Sequence, residues 1–138
     1  MTSEFAIAVH TLVFLCYYPG SQSSDKIAQS VCTHPARVRK VLAKLKRSSL
    51  VKPKEGSVGG YQLTRAADKI NLQQVCLAVG SAPVGVSWKP GSSFVPCPIA
   101  HQMGDVIDDI YAQLNVLCFE KLHTLSIADI AQQIQFPD

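Results

Sequence analysis

The stretch SDKIAQSVCTHPARVRKVLAKLKRSSLVKPKEGSVGGYQLTR, residues 24–65, decides the fold of this 138-residue chain. Its beginning predicts a short helix from Ser24 to Val31, with Ser24 as the N-cap, and a second helix that opens at Pro35. Residues 49–65 predict a strand, a glycine-rich tip and a returning strand. Two helices followed by a hairpin predict a winged helix-turn-helix.

Positive charge is concentrated in the second of these helices and in the hairpin. Between Arg37 and Lys54 there are eight Lys or Arg residues and no Asp or Glu. Residues 1–69 hold eleven Lys or Arg against four Asp or Glu, and residues 70–138 hold two against six, so the halves carry +7 and −4. A basic half beside an acidic half indicates a polyanion-binding module joined to an oligomerisation element.

The order of helix, turn, helix and wing predicts that double-stranded DNA is the polyanion. A helix fits the major groove, where arginine can bind guanine through two hydrogen bonds and lysine can hold a phosphate. The wing is expected at the flanking minor groove or backbone. The residues predicted to contact DNA are Ser24, Thr33, His34, Arg37, Arg39, Lys40, Lys52, Lys54, Ser57 and Gly59. A winged-helix module that binds protein is the alternative, since a fold does not fix a function.

The first helix is expected to bury an apolar face at three-and-four spacing. That face consists of Phe5, Ala8, Val9, Leu12, Val13 and Cys16. The apolar run is short and interrupted by His10 and Thr11, and Glu4 precedes it instead of a basic segment. It therefore predicts neither a membrane span nor a signal peptide, and a cytoplasmic protein is expected.

The rest of the chain divides by composition. We expect a DNA-binding domain over residues 1–80, a sensory or linker loop over 81–100, and a dimerisation helix with a short C-terminal helix over 101–138. The dimerisation helix is predicted from an apolar seam at alternating four and three spacing, typical of an intermolecular helix pair. The seam consists of Met103, Ile107, Ile110, Leu114 and Leu117. The expected fold class is mainly α with a small β wing.

Four segments resemble the Rrf2 family of bacterial transcription regulators. They are Ile27-Ala28, Val41-Leu42-Ala43-Lys44-Leu45-Lys46, Leu50-Val51 and, above all, Gly59-Gly60-Tyr61-Gln62-Leu63-Thr64-Arg65. The resemblance covers nearly the whole chain and implies a homodimer that binds a palindromic operator, usually as a repressor. Two departures, Arg37-Val38 where many members carry Tyr-Leu and Glu55 where many carry Arg, mean that no operator sequence can be transferred.

The cysteine pattern bears on what such a regulator senses. Cluster-binding members of the family carry three closely spaced cysteines before the dimerisation helix, whereas this chain has Cys97 alone, followed by His101. We therefore expect no iron–sulphur cluster and no cofactor. Cys97, near a helix start, and Cys32, in the turn before the recognition helix, suggest thiol-based redox sensing through a disulfide.

The sequence is also compatible with other interpretations of the cysteines and of the signal. Cys32 can be a small buried hydrophobe, as free cysteines commonly are, and Cys16, Cys76 and Cys118 are expected in the core. Trp88 and Phe94 can close over an apolar or peptide-like ligand, and some family members respond to a partner enzyme. The identity of any small-molecule effector is not indicated.

An enzyme is not expected. The four histidines have no spacing to acids or cysteines that suggests a catalytic triad or a metal site. Asp108-Asp109 is interpreted as part of the acidic exposed face of the dimerisation helix.

Overall fold

Over residues 1–56 and 59–135, which this computed structural model describes, the chain is mainly helical with one small antiparallel sheet, as predicted. The elements in chain order are α1 Ser3–Tyr17, α2 Ser24–Val31, α3 Pro35–Arg47, β1 Val51–Lys54, β2 Gly60–Leu63, a 3₁₀ turn Ala67–Lys69, α4 Leu72–Val79, α5 Pro98–His123 and α6 Ile127–Gln132. In the sheet, Val51 is paired with Leu63 and Lys54 with Gly60. Helix, turn, helix and wing thus follow one another as the sequence indicates.

Local hydrogen bonds explain where the helices begin. Pro35 is the first residue of α3, as expected, and the ring of His34 caps that helix by accepting from the backbone N–H of Ala36 at 3.1 Å. The predicted cap of α2 is wrong by one residue: Ser23 accepts from Lys26 N at 3.2 Å, and Ser24 is already helical. Two adjacent serines have the same capping chemistry, so residue type alone does not choose between them.

The core lies between α1, α3 and α4, with the wing and the chain end closing it. Its fully buried large side chains include Leu12, Ile27, Val38, Val41, Leu42, Leu45, Leu50, Val51, Ile70, Val75 and Ile127. No helix of the described ranges is long and apolar enough to cross a membrane.

The buried face of α1 differs from the prediction. Ile7, Ala8, Thr11, Leu12 and Leu15 are buried. Of the residues expected to be buried with Ala8 and Leu12, Phe5, Val9, Val13 and Cys16 are only partly buried. Because α1 is apolar on nearly every side, the spacing of apolar residues did not select the inward face.

The segment between α4 and α5 is fastened along α5. Asn115 binds both backbone groups of Val84, at 2.8 and 3.0 Å, and Lys89 pairs with Asp108 at 2.7 Å. Helix α5 begins at Pro98, three residues before the predicted boundary at residue 101. Residues 81–97 therefore run antiparallel to α5 and cover one of its sides.

The predicted apolar seam of α5 is not uniformly exposed. Met103 and Ile107 are half-buried. The exposed apolar side chains of the helix include Val106, Ile110, Leu114 and Leu117. Val106 therefore extends the exposed row, and the pairing of this row with a second helix stays a prediction.

Candidate nucleic-acid interface

A non-glycine residue in the left-handed conformation makes the turn between α2 and α3. Cys32 has φ 63° and ψ 47°, and its backbone N–H donates to Ala28 O at 2.9 Å. The next residue, Thr33, donates to the same carbonyl at 3.2 Å. This arrangement ends α2 within one residue and allows α3 to start at Pro35, as a helix-turn-helix requires.

The outward face of α3 is opposite its buried side chains. Val38, Val41, Leu42 and Leu45 are buried. Residues three and four apart share a helix face, so the opposite face presents Ala36, Lys40, Ala43 and Arg47, all exposed. Alanines alternate with cations along this face, and their small side chains leave room for close approach to the floor of a major groove.

Two of the predicted DNA-contacting cations have acidic neighbours. The guanidinium of Arg39 lies 3.9 Å from Asp25 on α2, with both side chains more than half exposed. Lys40 lies 3.3 Å from Glu4 on α1, and its side chain is 69% exposed. Such exposed pairs are weak and are easily exchanged for another anion.

Arg37, the third predicted cation, lies at the edge of α3 that faces α1. Its guanidinium donates to Thr33 Oγ at 3.1 Å and to Ser3 Oγ at 2.9 Å. The structure thus brings Thr33 and Arg37 together with the start of α1. Nothing in the sequence marked Ser3, because the contact spans 34 positions and depends on how α1 packs.

Lys44 and Glu4 form the least exposed ion pair of the described residues. Lys44 Nζ lies 2.5 Å from Glu4 Oε2 and also donates to Val79 O at 3.3 Å. The hydrogen bond from Lys44 is the main reason that the pKa of Glu4 is below its ordinary value. Glu4 therefore stays ionised next to the basic helix at neutral pH.

The wing depends on glycine at two positions. Gly56 has φ +125°, a region that favours glycine. At Gly60, an added Cβ would lie 2.6 Å from Gln22 O, where Tyr61 and Gln22 exchange backbone hydrogen bonds of 2.8 and 3.0 Å. These bonds fasten the returning strand to the segment before α2. The wing and the helix-turn-helix of α2 and α3, called the reading head below, therefore form one unit.

The remaining predicted contact residues take different positions. Lys52, Lys54 and Gly59 are exposed on the wing, and Ser24 is half-buried in the first turn of α2. His34 is exposed in the turn before α3. Ser57 lies outside the described residues. Arg47 is exposed on the same face and was not included among the predicted DNA contacts, although its spacing of seven from Lys40 already indicated it.

The burial of the cysteines agrees only in part with the burial that the sequence predicted. Cys32 is exposed, which contradicts the buried alternative, and Cys97 is the half-buried N-cap of α5. Cys76 is buried, and burial raises the pKa of its thiol, which donates to Ser81 O at 3.1 Å. Cys16 and Cys118 are only half-buried, so the expectation of a core position holds for Cys76 alone.

Two aromatic side chains of the segment between α4 and α5 lie at the surface. Trp88 and Phe94 are 72% and 95% exposed. The closure of these side chains over a ligand stays a prediction. Within the part of the chain that the structure describes, no three His, Cys, Asp or Glu side chains are grouped to hold a metal ion. His101 lies 2.5 Å from the carbonyl of Val95 through its Nε2.

Comparison with known proteins decides the family. Residues 1–133 match the family model described as "Rrf2: Iron-dependent Transcriptional regulator". The chain belongs to the Rrf2 family. Because these proteins are transcriptional regulators, the prediction of a regulator and not an enzyme is confirmed. The family's description names iron, whereas no three potential ligands are grouped to hold a metal ion in the described part of this chain.

Individual Rrf2 relatives cover the same length. YwnA of Bacillus subtilis, named as an HTH-type transcriptional regulator, is 25% identical over 97% of this chain and 98% of its own. A crystal structure of a transcriptional regulator from Lactobacillus plantarum is 25% identical, with a TM-score of 0.76 over 94% of this chain and 88% of that one. CymR, the global cysteine regulator of B. subtilis, shares the fold with a TM-score of 0.72 at 18% identity, over 98% of both chains.

Proposed function

We propose that this Rrf2 regulator is a cytoplasmic homodimeric repressor that binds a palindromic operator through α3 and the wing. The observation that carries the proposal is the outward face of α3, where Lys40 and Arg47 flank Ala43 and lie opposite a buried face. The wing adds Lys52 and Lys54 on the same domain. Cations at these positions can supply phosphate and base-edge contacts.

The exposed side of α5 supports the dimer. Val106, Ile110, Leu114 and Leu117 form an exposed apolar row on a helix of 26 residues. A solvent-exposed row of this kind is unusual in a monomer and matches the seam of a helix pair. Two copies related by a two-fold axis would present two recognition helices to two half-sites, which is why the operator is expected to be palindromic.

A groove along α1 supports the same assembly. It measures about 1000 Å³ and is lined by the outward apolar side of α1, including Phe5, Val9 and Val13. Lys26 and His10 also line the groove, and no Asp or Glu does. The acidic, apolar α5 of a second copy has complementary chemistry.

We further propose that oxidation couples Cys32 to Cys97 between the two subunits. Within one chain, α2 packs against α1 and α3, whereas α5 packs against α4. Cys97 immediately precedes Pro98, the first residue of α5. At 1.5 Å per residue, Pro98 lies roughly 25 Å along the helix from Asn115. Because this length separates Cys97 from the part of α5 near Asn115, we expect the thiol that pairs with Cys97 to be Cys32 of a second copy.

The chemistry of the redox step is a dithiol oxidation. Two thiols would lose two electrons and two protons to a peroxide, giving one disulfide and two waters. Cys32 is exposed in the turn that positions α3, so a disulfide there would hold the reading head in one orientation. A regulator that responds to a small ligand, without a redox role, is the alternative for the signal.

The test is operator selection from random duplex DNA with reduced protein and with peroxide-treated protein. The proposal predicts inverted half-sites, and an operator affinity that changes with oxidant in the native chain but not in Cys97→Ser. Equal oxidant responses of the native and Cys97→Ser proteins would eliminate the disulfide. Absence of duplex binding even at low salt would favour a protein-interaction module.

A further inference from the structure

The first turn of α1 contacts three cations of the recognition helix. Glu4 lies 3.3 Å from Lys40 through one carboxylate oxygen and 2.5 Å from Lys44 through the other. Its neighbour Ser3 accepts a hydrogen bond from Arg37 at 2.9 Å. The carboxylate of Glu4 therefore lies beside the surface of α3 that is proposed to face DNA.

The two lysines are held differently. Lys44 is 27% exposed and has a second acceptor, the carbonyl of Val79 at 3.3 Å, which connects α3 to the end of α4. Lys40 is 69% exposed and has no second partner among the described residues. Lys40 can leave Glu4 for another anion without leaving a buried group unpaired, whereas Lys44 cannot.

We propose that Glu4 is a positioning residue that restrains Lys40 and thereby limits non-specific binding to DNA. The inference rests on the proposed function of α3. In free protein Glu4 holds Lys40; on DNA, Lys40 exchanges Glu4 for a phosphate, and Glu4 keeps only Lys44. Non-specific binding depends almost wholly on phosphate contacts, so an internal carboxylate weakens it more than binding to the operator, where base contacts also contribute.

The exchange has a signature in salt dependence. When Lys40 binds a phosphate, one cation leaves the DNA, but the freed side of Glu4 attracts a cation in its place. Neutralising Glu4 removes that uptake. The slope of log Kobs against log salt concentration should then steepen, by at most about 0.9, the value for one phosphate contact.

The experiment uses the full chain with a selected operator and a random duplex, titrated at several KCl concentrations. Glu4→Gln should tighten binding to the random duplex by about two- to fivefold, the range for one exposed ion pair. The operator should gain less, and the salt slope should steepen. When Lys40→Gln is also present, Glu4→Gln should no longer tighten binding to the random duplex, because Glu4 acts through Lys40.

Two further variants distinguish the loss of the Glu4–Lys40 pair from a general change in net charge and from a loss of stability. Asp68→Asn removes the same charge from the exposed 3₁₀ turn, which packs against α6, and should change neither affinity nor slope. If Glu4→Gln destabilises the fold by leaving Lys44 unpaired, Glu4→Gln with Lys44→Met removes the inner pair together. That double variant keeps the net charge and should still bind the random duplex more tightly than the native chain.

The outcomes distinguish this inference from the function on which it rests. A gain equal to that of Asp68→Asn, or one that persists with Lys40→Gln, would overturn the role of Glu4 while leaving DNA binding intact. If the native chain shows no salt-dependent duplex binding, the proposed function itself fails.

Discussion

Gly60→Ala should detach the wing from the reading head. The new Cβ would lie 2.5 Å from Ser21 Oγ and 2.6 Å from Gln22 O, and backbone at that distance must move. The movement disrupts the pair of hydrogen bonds between Tyr61 and Gln22, of 2.8 and 3.0 Å. At about 1 kcal/mol for each bond, the free energy of unfolding should fall by about 2 kcal/mol.

Gly59→Ala is the matched control for this substitution. Its added Cβ would have no neighbour closer than 3.7 Å, an ordinary contact distance. The same chemical change one residue earlier should leave stability unchanged or raise it slightly, through a less flexible unfolded chain. The pair of variants therefore isolates the close approach at Gly60 from any general effect of replacing glycine.

The assay is thermal and urea unfolding of both variants beside the native chain. For a chain of this length, the Gly60→Ala midpoint should fall by roughly 5–10 °C. Affinity for a selected operator should also fall, because the wing loses its fixed position relative to α3. Equal unfolding midpoints for the two variants would refute the reasoning that Gly60 is required by contact with Gln22.

Three other substitutions test separate parts of the account. Lys40→Ala should weaken operator binding several-fold and, when introduced into Glu4→Gln, where no cation uptake offsets the release, should reduce the salt slope by about 0.9, measured by fluorescence anisotropy at several KCl concentrations; an unchanged slope in that pair would exclude a phosphate contact. Leu114→Asp should shift the protein towards monomer in analytical ultracentrifugation, since it places a charge in the exposed seam of α5, and a persisting dimer would exclude that seam. The folded pKa of Glu4 lies below its unfolded value, so the stability it adds is present above the unfolded pKa and lost as pH falls through the folded pKa. The stability difference between the native chain and Glu4→Gln should therefore shrink on acidification, and a pH-independent difference would contradict the pairing.

The parts of the fold that sequence predicted well are those set by local chemistry. The start of α3 at Pro35 depends on residues within one turn of one another. The buried stripe of α3 is likewise set locally, because its other sides are charged or small and only one face is apolar.

The errors arise where a pattern had more than one solution. Helix α1 is apolar on several sides, so its inward face depended on packing against α3 and α4. In the seam of α5, Met103 and Ile107 are half-buried, which the spacing within α5 does not reveal. The contacts of Ser3 and Glu4 with the recognition helix join positions far apart in sequence and were not predicted at all.

Hydroxyl-radical footprinting of the selected operator tests most directly whether two copies of α3 bind DNA together. We expect two protected half-sites in inverted orientation, separated by about one helical turn or a multiple of it, with both protections weakened by Lys40→Ala. A single protected half-site at saturating protein, or protection that Lys40→Ala leaves unchanged, would contradict it.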